Sequence, residues 1–209
     1  SLLMKLFSYI LARDFGFAPN PFYSICSLAT CKPIIRKKAQ IGDWIIGTGS
    51  KQLNCENKLI YIMEITDKVT FNQYWSNPKY NCKKPIINGS LKQMYGDNIY
   101  FKNENDIWSQ AKSHHSLEDG SINKYNLRRD TQTENVLLSS NYFYFGNKYI
   151  DLPKNLISYI CKKGPGFRYV TEDEAIKYIT KKIPEIYSKG MLSDPIQFED
   201  FKFHDGKRS

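Results

Sequence analysis

For its first two thirds the chain alternates short apolar runs of strand length with polar, turn-rich intervals, and only afterwards do apolar positions fall at helical spacing. KLFSYILARD predicts a buried first strand over residues 5–12. The following FGFAPNPFYSICSLATCKPIIRKKA carries Gly16, Pro19, Asn20, Pro21 and Pro33, too many turn formers for one regular element, and predicts a long early loop with short inserts. Residues 44–47 and 59–66 predict two strands that pair with each other, and FNQYWSNPKY an aromatic, proline-containing element after them. An edge strand is expected at residues 98–101 and a strongly aromatic strand over 136–145. Later, Leu156, Ile157 and Ile160 suit a helix, and Thr171 with Glu174 three residues on predicts a capping box opening a second one. Its stripe is Ala175, Ile176, Ile179 and Ile183, and Pro184 predicts a kink or an end. FEDFKFHDGKRS predicts a strand or a weakly ordered tail.

Strands early and helices late give an α+β class, without the strand–helix alternation of a doubly wound sheet. The expected architecture is a small curved mixed sheet or a partly open β-barrel with flanking helices. The expected organisation is a single domain over residues 1–209, with a β-rich core at 4–150 carrying the candidate pocket and a mostly helical extension at 151–209.

With 41% apolar and 24% charged residues, the composition excludes a disordered chain. The formal charge of +9 favours an anionic partner, because a positive surface concentrates phosphates before any specific contact forms. Five cysteines without a CxxC pair read as reduced thiols of a cytoplasmic protein. The apolar opening is too short for a membrane span and lacks the basic start and cleavage site of a secretory signal, so no membrane partner is expected.

Candidate chemistry concentrates in SHHSLEDGSINKYNLRRDTQTENVLLS, residues 113–139. Either His114 or His115 suits a general base, with Asp119 or Asp130 fixing its tautomer, and Arg128 and Arg129 offer planar forks for phosphate. Thr131 suits a phosphate or sugar contact and Gln132 a base edge. The plainer expectation is that these polar residues cap turns. Tyr74 and Trp75 lie in a polar setting where a ring can stack on a nucleobase, a contact worth about 1–3 kcal/mol. Lys37, Lys38, Lys51, Lys83, Lys84 and Lys92 would supply the surrounding positive field. The glycines of GTGS and KKGPGFR lack the spacing and strand-to-helix setting of phosphate-binding fingerprints, and no HExxH or PCxxC accompanies the histidines, so no metal site is expected and no cofactor is identified. Cys26 and Cys31 read as core or loop thiols, since no base is close to them in sequence.

The strings FSYILARDFGFAPNPF, CSLATCKPIIRKKAQIGDWIIGTGS, FNQYWSNP, NGSLKQMYGDNIY, SHHSLEDGS and RRDTQTENVLLSSNYFYFG, in this order, resemble the bacterial and phage proteins named nucleotide modification associated domain 2, over residues 4–146 and less clearly through KGPGFR. This resemblance implies a link to DNA modification or phage defence. The succession KKAQIGDWIIGTGS, LIYIMEITD, FNQYWSNP is also similar, more weakly, to PUA, ASCH, EVE and YTH-like barrels, readers of RNA or modified bases. It implies that Trp44, Ser50 and Trp75 lie near a pocket. The family strings add Asn98, His114, His115, Arg128, Asp130, Thr131 and Gln132 as pocket or surface candidates. The expected function is binding of a modified nucleotide or modified base in nucleic acid. Its alternatives are an enzyme using a histidine base on such a substrate, and a protein-interaction module. The expected partner is a nucleic acid or nucleotide.

Overall fold

A computed structural model describes residues 3–201. Its largest sheet is mixed and open, with the strand order β11-β1-β3-β4-β9-β12. These strands are β1 (Leu6–Ile10), β3 (Trp44–Thr48), β4 (Lys58–Glu64), β9 (Asn141–Tyr144), β11 (Phe167–Tyr169) and β12 (Gly190–Met191), and the two-residue β10 (Ile150–Asp151) also pairs with β4. β1 runs parallel to β3, and β3 pairs antiparallel with β4 as the sequence pattern requires. A second sheet holds β2 (Cys26–Leu28), β8 (Asn135–Ser139) and β5 (Asp67–Thr70) in the order β2-β8-β5. β6 (Tyr100–Lys102) and β7 (Trp108–Gln110) form a separate hairpin. The mixed-sheet expectation holds, and the sheet does not close into a barrel.

Period-2 alternation sorts the apolar side chains into layers. Leu6, Trp44, Ile46 and Ile62 face one side of the large sheet, where Ala175, Ile179 and Ile183 of the late helix cover them. Phe7, Tyr9, Ile45 and Met63 face the other side and pack on Leu28 and Leu137 of the second sheet. On β8 the neighbours Val136 and Leu138 point away from Leu137 into a third cluster, with Phe71, Tyr74, Tyr95 and Tyr100. Burying one such side chain contributes about 1.5–3 kcal/mol, enough to fix the register of each strand.

The helices that matter below are α1 (Pro33–Lys38), α2 (Phe71–Ser76), α3 (Leu91–Met94) and α4 (Lys124–Asp130). α2 opens with a capping box in which the Thr70 side chain accepts from Gln73 N and Gln73 reaches back to the Thr70 amide.

Several local expectations are corrected. Residues 136–145 form two strands, β8 and β9, because Ser140 carries the chain from one sheet to the other. The residue pair Thr171 and Glu174 makes no capping box; Glu172 occupies the N-cap without a side-chain bond. Pro184 neither ends nor breaks the late helix at once: the preceding turn, Tyr178–Lys182, widens to π geometry, which suits a residue without an N–H, and the helix ends at Ile186. Lys83 belongs to no surface field. It is fully buried and its ammonium donates to Asn20 O, Asn20 Oδ1 and Ile25 O. Residues 198–201 form no strand, and the remainder of the predicted tail, with His204, lies outside the described residues.

Residues 192–197 are tied back across the end of the large sheet. Gly146, at φ +56°, allows this approach, since a Cβ there would sit 2.1 Å from Asp194 O. Asp14 is the anchor: its carboxylate accepts from Ile196 N at 2.9 Å and from the Tyr144 hydroxyl, and its amide donates to Gln197 Oε1 at 2.9 Å. Burial pushes the Asp14 pKa up to about 6, against the lowering by Tyr144 and the Ile196 amide. A carboxyl raised in the folded state adds stability that is complete below its unfolded pKa of about 4 and is lost as pH rises through about 6. Asp14→Asn is therefore expected to gain stability relative to wild type by about 1–3 kcal/mol between pH 4 and pH 7.5 in urea unfolding. A difference that does not change with pH would show that Asp14 titrates normally.

Candidate functional site

Three chain segments distant in sequence meet beside the end of β2. The first is the turn after β2, where Cys31 and Lys32 both adopt left-handed backbone, φ 59° and 41°. For residues with a Cβ this costs on the order of 1–2 kcal/mol each. The turn is held by Arg36 of α1, whose amide donates to Lys32 O at 3.0 Å and whose side-chain Nε donates to Cys31 O at 2.6 Å.

The second segment is the SHHS turn. Ser113 N donates to Ser116 Oγ, Ser116 Oγ donates to Ser113 O, and His115 N donates to Ser113 Oγ, so the two serines clamp the loop that presents the histidines. Asn126 Nδ2 then donates to His115 O at 2.9 Å. The third segment is α4, which starts where Asn123 Oδ1 accepts from Tyr125 N and Asn126 N and ends at Asp130.

These segments place Cys31, His115 and Asp130 in series. His115 Nδ1 lies 2.6 Å from Asp130 Oδ2, and His115 Nε2 lies 3.7 Å from Cys31 Sγ. Asp130 is filled on both oxygens: Oδ1 accepts from Cys31 N at 2.8 Å and from Arg129 Nε at 3.3 Å, and Oδ2 accepts from the Tyr100 hydroxyl at 2.5 Å. Arg129 Nη2 reaches Cys31 Sγ at 3.7 Å. Fully buried Arg36 donates to Asp130 O at 2.7 Å and Asn135 O at 3.1 Å, tying α4 and β8 to the cysteine turn. Asp130 is fully buried and the His115 side chain nearly so, whereas Cys31 and Arg129 keep partial exposure.

The electrostatics favour a charged pair. Burial raises the Asp130 pKa, but His115, Arg129 and Arg36 outweigh it and hold the carboxyl far below the usual range. Burial alone would discharge the His115 ring; Asp130 first and Cys31 second overcome that and raise its pKa to about 9. Burial also opposes the Cys31 thiolate, yet the charge and hydrogen bond of His115, helped by Arg129 and countered by Asp130, leave the thiol below its ordinary pKa. The arrangement therefore sets the Cys31 thiol against a charged His115 imidazolium, which favours the thiolate relative to a free cysteine.

Cys31 Sγ, one His115 nitrogen and one Asp130 oxygen lie within 4.8 Å of one another, a spacing open to a metal ion. The donor set does not fit one. His115 turns a different ring nitrogen to each neighbour, both Asp130 oxygens already accept two hydrogen bonds or a short ionic contact, and two guanidinium groups adjoin the carboxylate.

The other sequence candidates divide. His114 does not join His115 at Asp130; it packs between Phe15 and Phe17, ring centroids 5.1 Å from each, with Tyr95 at 5.8 Å. Trp44 is buried in the core against the late helix, and Ser50 Oγ accepts from Leu53 N inside a turn. Tyr74 is a core residue whose hydroxyl donates to Asp97, and buried Asn98 donates to Tyr74 O and Tyr80 O. Trp75 stacks on Phe101 at 4.2 Å and carries Lys84 at 4.0 Å from its ring, so protein groups already occupy the ring expected to stack on a base. Thr131 Oγ1 donates to Leu127 O at the end of α4. Arg128 and Gln132 are exposed.

Cys31, read from the sequence as a core or loop thiol, is brought by the fold beside His115 and Asp130. His115 is 84 positions away and the Asp130 carboxylate that holds the Cys31 amide 99 away, so proximity along the chain could not reveal the cluster. The available signal was a cysteine ahead of Lys32-Pro33, at a helix start, in a chain that also carries histidine and aspartate in one polar segment.

The family model described as nucleotide modification associated domain 2 matches residues 3–202. No protein of curated function and no solved structure matches the chain.

Proposed function

From the premise that this chain belongs to the nucleotide modification associated domain 2 family, and so is involved in nucleotide modification, we propose that it is a cysteine-dependent enzyme acting on a nucleotide or a modified base. Cys31 is the nucleophile, His115 the acid–base group, and Asp130 the group that fixes the His115 tautomer. The observation that carries this reading is the series Asp130 Oδ2, His115 Nδ1, His115 Nε2, Cys31 Sγ, with spacings of 2.6 and 3.7 Å.

Acyl transfer suits the arrangement best. The Cys31 thiolate adds to the carbonyl carbon of an amide or ester carried by the nucleotide, and a carbon–sulfur bond forms. His115 gives its proton to the departing amine or alcohol as that carbon–heteroatom bond breaks. Neutral His115 then takes a proton from water as the water adds to the thioester, and cleavage of the carbon–sulfur bond restores the thiolate and imidazolium. Arg129, beside the sulfur and partly exposed, is placed to hold a developing negative charge.

Binding of a modified base without chemistry is the competing reading, and exposed Arg128 and Gln132 are its remaining support from the candidate set. Thiol chemistry separates the two. Iodoacetamide at pH 6, followed by mass spectrometry of each cysteine peptide, is expected to label half-buried Cys31 faster than exposed Cys82. A panel of acylated and carbamoylated nucleotides is expected to yield product with wild type and none with Cys31→Ala. Slower labelling of Cys31 than Cys82, together with no product above background from either protein, would leave binding as the function.

A further inference from the structure

A second concave region lies at the opposite end of β2 from Cys31. Pro21, Phe22, Tyr142 and Met191 supply its apolar surface, Tyr23 a half-exposed ring, and Lys92 and Lys189 its charge, around a volume of about 410 Å³. The size falls in the range of small-molecule sites, roughly 300–1,000 Å³. Four separate parts of the chain build it: the 21–24 loop, α3 with Lys92, Ser140 between β8 and β9, and the segment entering β12 with Lys189.

Its chemistry is one-sided. Among the described residues no carboxylate lines the recess, whereas two lysines do. The Lys92 ammonium sits 4.2 Å from the Tyr23 ring centroid, which joins the charge to an aromatic surface. Tyr23 and Ser24 both hold left-handed backbone, φ 65° and 62°, and the exposed Ser24 stands at the edge. Below them the Tyr142 hydroxyl donates to Pro21 O at 2.8 Å and fixes the floor to the loop. The larger recess around Gln40, Ile41 and Gln73 differs: Lys68, its single lysine among the described residues, already donates to Ala39 O at 2.7 Å.

We propose that the Lys92–Lys189 recess is a binding site for a phosphate attached to an aromatic ring system, as in a nucleoside monophosphate or the phosphorylated end of a nucleic acid strand. The two ammonium groups take the phosphate and the Tyr23, Tyr142 and Met191 surfaces take the ring. This site is distinct from the Cys31 centre and stands without it, since no residue is shared.

Isothermal titration with thymidine monophosphate, thymidine, inorganic phosphate and a short oligonucleotide with and without a 5′-phosphate tests the proposal. Saturable binding is expected for the monophosphate, the 5′-phosphorylated strand, or both, and which of them binds identifies the natural source. Thymidine and the unphosphorylated strand are expected to bind at least about tenfold more weakly, as is any phosphate-bearing probe to the double variant Lys92→Ala, Lys189→Ala. Cys31→Ala is expected to bind like wild type, which keeps this result separate from the catalytic reading. No saturable binding by either phosphate-bearing probe, or affinity that the double variant leaves within about twofold, would overturn the assignment.

Discussion

Asp130→Ala is expected to lower folding stability by about 3–5 kcal/mol in chemical unfolding. The cost follows from what one carboxylate holds: the Cys31 amide, the Tyr100 hydroxyl, the His115 ring and Arg129 Nε all address it in a space closed to water. Removing it leaves buried Arg36, His115 and Tyr100 without the opposing charge, and an uncompensated buried cation costs far more than a lost surface pair. Asp130→Asn keeps the volume and two polar atoms. It is expected to fold with a smaller loss while discharging His115, so that Cys31 labelling at pH 6 falls even in the folded variant. A stability change under about 1 kcal/mol for the alanine variant would mean that the network is not formed as described.

Replacing His115 by glutamine carries the largest expected effect on chemistry. Product formation and Cys31 alkylation near neutral pH are each expected to fall by about 10²–10⁴-fold, the usual contribution of a positioned acid–base group. The loss should appear in kcat, with KM little changed, because His115 lies behind the thiol in a nearly closed position. The same variant has a pH signature. A histidine raised from 6.5 to about 9 adds stability that is complete below its unfolded pKa and disappears as pH rises through about 9. Wild type should therefore lose stability relative to His115→Gln between pH 6.5 and 9.5. Parallel stability curves with retained alkylation would remove His115 from the role.

Much of the layered core was legible because burial writes a period into the chain. The pairing of β3 with β4 followed from apolar runs, and the aromatic segment after them proved to be the capped helix α2. The strand over 136–145 was only half right: its aliphatic and aromatic composition was correct, but the single Ser140 that divides it between two sheets leaves no periodic mark. In the candidate site, His115, Asp130 and Arg129 come from one polar segment and were visible as chemistry. His114 beside His115 was equally visible and is held instead among Phe15, Phe17 and Tyr95, because neighbours on a clamped turn face different surroundings.

The sequence by itself determined which positions are apolar, where turns fall, and that a positive, nucleotide-linked protein carries its polar chemistry between residues 113 and 133. Tertiary structure alone decided that Cys31 joins that chemistry, that Trp75 is covered by Phe101 and Lys84, and that Lys83 is interior. The reason is physical. Periodicity reports only whether a side chain is buried, whereas the ionisation of a thiol follows the charges within a few ångströms of it, and here Arg36 ties the Cys31 turn to the end of α4 while Asn126 holds the His115 turn against it.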